Sequence, residues 1–170
     1  QWSKTPIAPF DPMLHCSTTA IIAPLVRRAP RKVNYPESID YLLSFADFER
    51  SGRFHDRLDV EPVLALLRRL GDPHLDRDTV HIAGSKGKGS VAAMVESVLR
   101  AAGHTTGLFT SPHLHSYTER IRVNGKPLAE GDWARLTGVL RATLESAPPA
   151  PEGRRLVTFD LLTALAFLAF

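Results

Sequence analysis

Apolar side chains recur at helical spacing in two stretches of the first half of the chain. A helix is predicted to open at Asn34, because apolar residues then follow every three or four positions as far as Ala46. Asp59 is predicted to cap a second helix, which ends where Gly71 provides a C-terminal stop. The charged stretch 47–56 between them predicts a loop.

The pattern changes at residues 79–83, a short β-branched run that predicts a strand. A glycine-rich stretch at 84–89 follows, and helical periodicity then extends from 90 to 102. Residues 105–110 predict another strand. The order of strand, glycine loop, helix and strand predicts an α/β domain with a mainly parallel sheet.

The last third of the chain predicts a hairpin followed by two helices. Residues 119–123 alternate between polar and apolar, and the dipeptide Asn124-Gly125 that follows is a strong hairpin turn. A helix is predicted from 131 to 145 and a proline-rich loop at 147–151. Thr158 is predicted to cap the last helix.

The apolar run that closes the chain is too short to cross a membrane. Residues 156–170 include Asp160, whereas a span needs about 20 apolar residues. We therefore expect a buried core helix and no membrane contact. The run lacks a helix-stop residue and the chain begins with Gln1 instead of Met, so we expect a piece of a longer protein.

Composition and charge narrow the function classes. The 170 residues are 44% hydrophobic and 23% charged, as in one ordinary globular domain. A single cysteine, Cys16, excludes an internal disulfide framework and a multi-cysteine metal cluster. The net charge of +3 divides into +4 on residues 1–33, which hold five basic groups and one acid, and −1 on residues 34–170. The charge therefore gives no reason to expect a nucleic-acid partner.

Residues 1–33 are predicted to be a flexible, proline-rich basic tail. Their five prolines interrupt both helix and strand patterns. A targeting peptide is an alternative, because the segment is poor in acids, although the prolines argue against the amphipathic helix that such a peptide needs. Translated upstream sequence would have the same composition.

The strongest chemical signal is the glycine-rich loop between a predicted strand and a predicted helix. Its glycines allow backbone N–H groups to converge on phosphate oxygens, and the helix directs its positive end at the same anion. Lys88 can reach the β- and γ-phosphates, and Ser90 stands where a phosphate-loop hydroxyl ligates Mg²⁺. A Gly/Lys-rich surface turn is the alternative. The predicted nucleotide-binding residues are Gly84, Ser85, Lys86, Gly87, Lys88, Gly89 and Ser90.

Four motifs occur in order along residues 34–170. They are the loop at 80–90, the segment G-L-F-T-S-P-H-L at 107–114, the strand and turn at 117–125, and T-F-D-L-L-T-A-L-A-F at 158–167. Together they resemble the folylpolyglutamate synthase/dihydrofolate synthase family of the Mur ligase superfamily. The resemblance implies a phosphate-loop, Mur-ligase-like central ATP-binding domain that is truncated in this chain. Gly89 after Lys88 favours the folate branch over the peptidoglycan-precursor ligases, which stay an alternative.

The resemblance implies an ATP-dependent ligase with ATP and Mg²⁺ as cofactors. In this family ATP phosphorylates a folate-side carboxylate, and the amine of L-glutamate attacks the acyl phosphate to form an amide. The carboxylate belongs to folate or dihydropteroate. Lys88 is the implied catalytic residue, and we expect a cytoplasmic monomer.

The resemblance also implies a metal and a substrate set. Ser90 and Ser111 would help to position Mg²⁺. The substrate-side residues would be Asp59, Val60, Glu61, Ser111, Pro112, His113, Leu114, Arg120, Phe159 and Asp160.

Two departures from the family pattern matter. Asp160 stands where the family usually has Glu. The chain also stops before the family's E-V-G-L-G-G-R-x-D segment, whose Glu is a magnesium ligand. We therefore expect that the 170-residue chain alone does not catalyse ligation, and a non-catalytic, truncated nucleotide-binding product stays an alternative.

Overall fold

The computed structural model describes residues 33–46, 59–146 and 155–170. The predicted tail, apart from its last residue, and the predicted loops at 47–56 and 147–151 lie outside these ranges. Within the described ranges, no helix is both long enough and apolar enough to cross a membrane.

Five α-helices and three short strands form the described part of the chain, and all five predicted helices are confirmed. Their order is α1 Tyr35–Leu43, α2 Glu61–Arg69, α3 Lys88–Ala101, β1 Gly107–Phe109, a 3₁₀ helix Tyr117–Arg120, β2 Ile121–Val123, β3 Lys126–Pro127, α4 Glu130–Glu145 and α5 Thr158–Ala169.

Local side-chain chemistry explains where these helices begin. Asn34 accepts the N–H of Glu37 at 2.9 Å, and the Glu37 carboxylate accepts the N–H of Asn34 at 3.1 Å, which closes a capping box at the start of α1. Asp59 is not the cap predicted for α2 but precedes its N-cap, Val60, and accepts the N–H of Glu61 at 3.0 Å. Thr158 is the first residue of α5 rather than its cap, and its hydroxyl donates to the carbonyls of Leu42 and Phe45.

The sheet is antiparallel, which corrects the expectation of a mainly parallel one for the described residues. β1 pairs with β2 and β2 with β3. Asn124 and Gly125 join the last two strands with φ of 50° and 77°, and this tight left-handed turn can only return the chain antiparallel. Ala46 and Val157 form an isolated parallel bridge.

Residues 79–83 are not a strand, although their β-branched pattern predicts one. They are irregular and mostly exposed, with Val80 among the exposed apolar side chains. A strand exists only where a neighbour accepts its hydrogen bonds. None of the described strands pairs with this segment.

The core lies between α1, α2, α4 and α5, with β2 against it. Trp133 and Leu140 on α4, and Leu161 and Leu165 on α5, are fully buried there. α5 packs against the other three core helices as well as β1 and β2. The prediction of a buried helix at the end of the sequence is therefore confirmed.

Candidate functional site

The glycine loop turns directly into α3. Gly87 is the N-cap of this helix at φ 76°, a left-handed conformation that glycine adopts without strain. A Cβ on Gly87 would meet no atom within 4 Å, so the backbone angle and not crowding favours glycine there. The predicted loop is thus confirmed as a turn that ends at a helix N-terminus.

The N-terminus of α3 is an open, positive end of a 14-residue helix. Its first turn has neither a side-chain cap nor an acidic residue, and residues 84–90 are all exposed. The first N–H groups of a helix have no partner within it, and the helix dipole adds about half a positive charge there. Within the described ranges, no carboxylate forms an ion pair with Lys86 or Lys88. The arrangement suits a polyanion.

The C-terminal end of β1 lies at the same end of the molecule as this loop. α3 packs against β1, and the Thr106 hydroxyl donates to the Glu96 carboxylate at 2.6 Å. From Glu96 back to Lys88 the helix spans about 12 Å. The chain reverses between α3 and β1, so from Thr106 onward to Ser111 an extended chain spans about 16 Å in the same direction as that path. Ser111 and the glycine loop therefore lie on the same side of the contact between Thr106 and Glu96.

The Glu119 carboxylate binds the backbone of residues 114–116, which follow β1 in the chain. Its carboxylate accepts the backbone N–H groups of Leu114, His115 and Ser116 at 3.0, 3.1 and 3.0 Å. These hydrogen bonds, that from Leu114 above all, lower the pKa of Glu119. Sequence reasoning missed this residue, although the S-x-x-E spacing from Ser116 to Glu119 is a capping-box signal.

Two predicted substrate-side residues touch each other. The Nε of Arg120 donates to Nδ1 of His113 at 2.9 Å, and Arg120 is only 4% exposed. The His113 ring lies against the Tyr117 ring with centroids 4.2 Å apart, and the guanidinium carbon lies 5.0 Å from the centroid of the same ring. Pro112 precedes this cluster in a cis peptide bond with Ser111.

The start of α5 lies beside the end of β1. The Phe159 ring is 5.7 Å from that of Phe109 and is 44% exposed. Asp160 accepts the N–H of Val157 at 3.0 Å, and burial raises the pKa of its carboxyl group. The start of α5 therefore lies next to β1, the strand that leads into residues 111–114. The Asp160 carboxylate also accepts a backbone N–H at the N-terminus of its own helix.

The third predicted segment, Asp59, Val60 and Glu61, lies at the start of α2. Val60 is exposed, and Glu61 pairs with Arg68 of the same helix at 3.0 Å. α2 packs against α5, so this segment belongs to the helical layer that also carries Phe159. The observed partner of Glu61 is therefore local and does not join it to the glycine loop.

Comparisons with known proteins agree with the motif order. A dihydrofolate synthase/folylpolyglutamate synthase of Bacillus subtilis (strain 168) is 39% identical over 122 residues, which are 68% of this chain and 28% of that protein. The solved folylpolyglutamate synthetase from Lactobacillus casei has a TM-score of 0.71 at 33% identity, over 81% of this chain and 33% of its own. No family model matches the chain.

A solved FPGS–AMPPCP–folate complex is similar as well, with a TM-score of 0.72 at 33% identity over 81% of this chain and 32% of its own. The chain thus spans about a third of the length of these proteins. Over 81% of its residues, it is homologous to the folylpolyglutamate synthase/dihydrofolate synthase family.

Proposed function

We propose that this chain is the ATP-binding part of a ligase that joins L-glutamate to a carboxylate of folate or dihydropteroate through an acyl phosphate. The observation that carries the proposal is the glycine loop, which turns at Gly87 into the uncapped N-terminus of α3. The names of the relatives support the folate branch over the peptidoglycan-precursor branch. The neighbour with bound AMPPCP and folate supports ATP and folate as ligands.

In this proposal the loop binds the triphosphate through backbone N–H groups and through charge. The amides of Gly89 and Ser90 lie in the first turn of α3, where the dipole favours an anion. Lys88 adds a mobile positive charge that neutralises the phosphate being transferred. Gly84, Ser85 and Lys86 complete the cradle around the anion.

The residues present also fit Mg²⁺ that arrives with the triphosphate. Within the described ranges, no group of three or more His, Cys, Asp or Glu side chains could hold a metal. The hydroxyls of Ser90 and Ser111 are hard oxygen donors at one end of α3 and β1. Mg²⁺ typically takes few protein ligands, keeps several waters and binds substrate phosphates, where it neutralises their charge.

The segment 111–114 and the start of α5 are proposed to hold the folate-side substrate. Arg120 donates to His113 at 2.9 Å, and in this proposal the pair supplies N–H donors to the substrate carboxylate. Leu114 and Phe159 are exposed apolar surfaces suited to a flat ring system. Bringing carboxylate and terminal phosphate to the same end of the fold would supply the orientation that acyl transfer needs.

The test of the proposal is equilibrium binding of MgATP by the 170-residue chain. We expect Lys88→Ala to weaken binding at least about tenfold, because a charge-assisted contact to phosphate is lost. Lys126→Ala is the matched control, since Lys126 is an exposed lysine on β3 and should leave the affinity unchanged. Unchanged MgATP affinity in Lys88→Ala would refute the assignment of the loop.

A further inference from the structure

We infer that Arg120 is a positioning residue that fixes the tautomer of His113, so that this histidine offers an N–H donor to the folate-side substrate. The substrate part of this inference rests on the proposed function. The tautomer part rests on the geometry of the two side chains alone.

The hydrogen bond between Arg120 and His113 has only one possible direction. A guanidinium carries N–H donors and no acceptor, so the Nε–H of Arg120 donates to Nδ1 of His113 across 2.9 Å. Nδ1 must therefore present its lone pair. The single ring proton of the neutral imidazole is then on Nε2.

The surroundings hold this pair in one arrangement. Both the imidazole and the guanidinium lie against the ring of Tyr117. Tyr117 begins and Arg120 ends one 3₁₀ helix, whose start is secured by the capping box of Ser116 and Glu119. Because Arg120 is buried, its hydrogen bond lies in a medium of low dielectric constant, where such bonds are electrostatically stronger than in water.

The consequence is a defined chemical role for His113. Donation into Nδ1 polarises the ring and makes its Nε2–H a better donor, as in other chains of hydrogen bonds. An Nε2–H donor suits a carboxylate or carbonyl oxygen of the substrate. A histidine in this state has its ring lone pair already engaged, so it orients and polarises an acceptor and does not abstract a proton.

Nitrogen-15 NMR of the histidine side chains tests the tautomer in the 170-residue chain at about pH 8, where an ordinary histidine is neutral. The His113 signals are identified by their disappearance in His113→Gln. We expect an unprotonated Nδ1 and a protonated Nε2 in the wild type. In Arg120→Gln both signals should move toward the average of two exchanging tautomers.

Arg122→Gln is the matched control, because it removes the same charge two residues further along the chain. It should leave the His113 signals unchanged. A proton on Nδ1 in the wild type would overturn the inference, and so would an Arg120→Gln spectrum identical to the wild-type one. The wild-type measurement decides the matter even if the Arg120 variant does not fold.

Folic acid tests the substrate part. We expect it to shift the His113 Nε2 signal, and we expect Arg120→Gln to weaken folic acid binding about tenfold while Arg122→Gln does not. If folic acid perturbs the Phe159 amide but leaves His113 unchanged, the donor role is wrong and the proposed function stands. If it perturbs neither residue, the folate-side assignment fails, and the tautomer is judged by the spectra without ligand.

Discussion

Two regions of the described chain carry the same helical periodicity but bury it very differently. Leu140 on α4 and Leu161 and Leu165 on α5 are 0% exposed, whereas Val91, Met94 and Val98 on α3 are 47, 66 and 68% exposed. Among the described residues, the core cluster takes no member from α3. Periodicity therefore predicts that a helix forms, and it does not predict what covers its apolar face.

The two regions are also held by different forces. The core helices pack through apolar side chains, but α3 is fastened to the hairpin largely by polar contacts. Glu96 accepts from Thr106 at 2.6 Å and pairs with Arg100 at 3.3 Å. Asn124 then accepts the Thr106 N–H at 2.9 Å. The helix that begins at the glycine loop thus depends on a small hydrogen-bonded network.

The largest expected difference between the regions comes from truncating one apolar side chain in each. Leu165→Ala should lower the free energy of unfolding by about 2–5 kcal/mol, because it leaves a cavity among packed helices. Met94→Ala on the exposed face of α3 should change it by less than about 0.5 kcal/mol. Urea unfolding followed by circular dichroism measures both, and equal losses would contradict the contrast.

The next largest effect is expected where α5 meets the sheet. A Cβ on Gly107 would collide with the ring of Phe170, so Gly107→Ala should cost about 1–3 kcal/mol. Gly89→Ala is the control, since a Cβ there meets no atom within 4 Å. Phe170→Ala should restore part of the loss in a double mutant, and a Gly107→Ala chain as stable as the wild type would show that the contact is not tight.

An effect of similar size, but confined to one region, is expected from breaking the polar network of α3. Thr106→Val removes the hydroxyl that donates to the buried Glu96 carboxylate, which should cost about 1–3 kcal/mol. Amide hydrogen exchange should speed up in α3 more than in α5, because only α3 loses a hydrogen bond that connects it to the hairpin. Ser97→Ala, an exposed change on the same helix, should have no such effect. Uniform acceleration across both helices would argue against a local network.

The smallest expected effects are changes in the free energy of unfolding with pH. They have opposite signs for Glu119 and Asp160, two carboxylates that lie at the start of a helix. The pKa of Glu119 is lowered, so its stabilising contribution is complete above the ordinary value of 4.5 and is lost as the pH falls through the lower, folded value. The pKa of Asp160 is raised, so its contribution is complete below the ordinary value of 3.8 and is lost as the pH rises through the higher, folded value.

Unfolding curves between about pH 3 and pH 7 test both signs, because this window spans the ordinary carboxyl pKa values. Glu119→Gln should reduce the loss of stability on the acid side, and Asp160→Asn should reduce the loss as the pH rises. The same sign for both variants would contradict the assigned causes, which are backbone hydrogen bonds for Glu119 and burial for Asp160.

Local signals made much of the fold predictable. The Asn34 capping box, the Asn124-Gly125 turn and the glycine at the start of α3 each depend on neighbours within a few residues. The strand predicted at 79–83 failed because a strand needs a partner from elsewhere in the chain. The parallel pairing predicted for the sheet is wrong for the three described strands for the same reason, because strand pairing depends on two segments and not on one.

The candidate site divides in the same way. Residues 84–90 could be recognised from the sequence because a phosphate loop is a continuous motif. The contact of Arg120 with His113, and that of Phe159 with Phe109, could not be recognised because side-chain directions follow from the path of β1, the 3₁₀ helix and α5.

The sequence by itself determined the helices, the hairpin turn, the glycine loop and the family to which the chain is homologous, because each depends on local spacing or motif order. Only the tertiary structure decided which apolar faces are buried, how the strands pair, and that the buried Arg120 side chain meets His113. Those outcomes depend on which distant groups share a low-dielectric interior, and no local pattern records that.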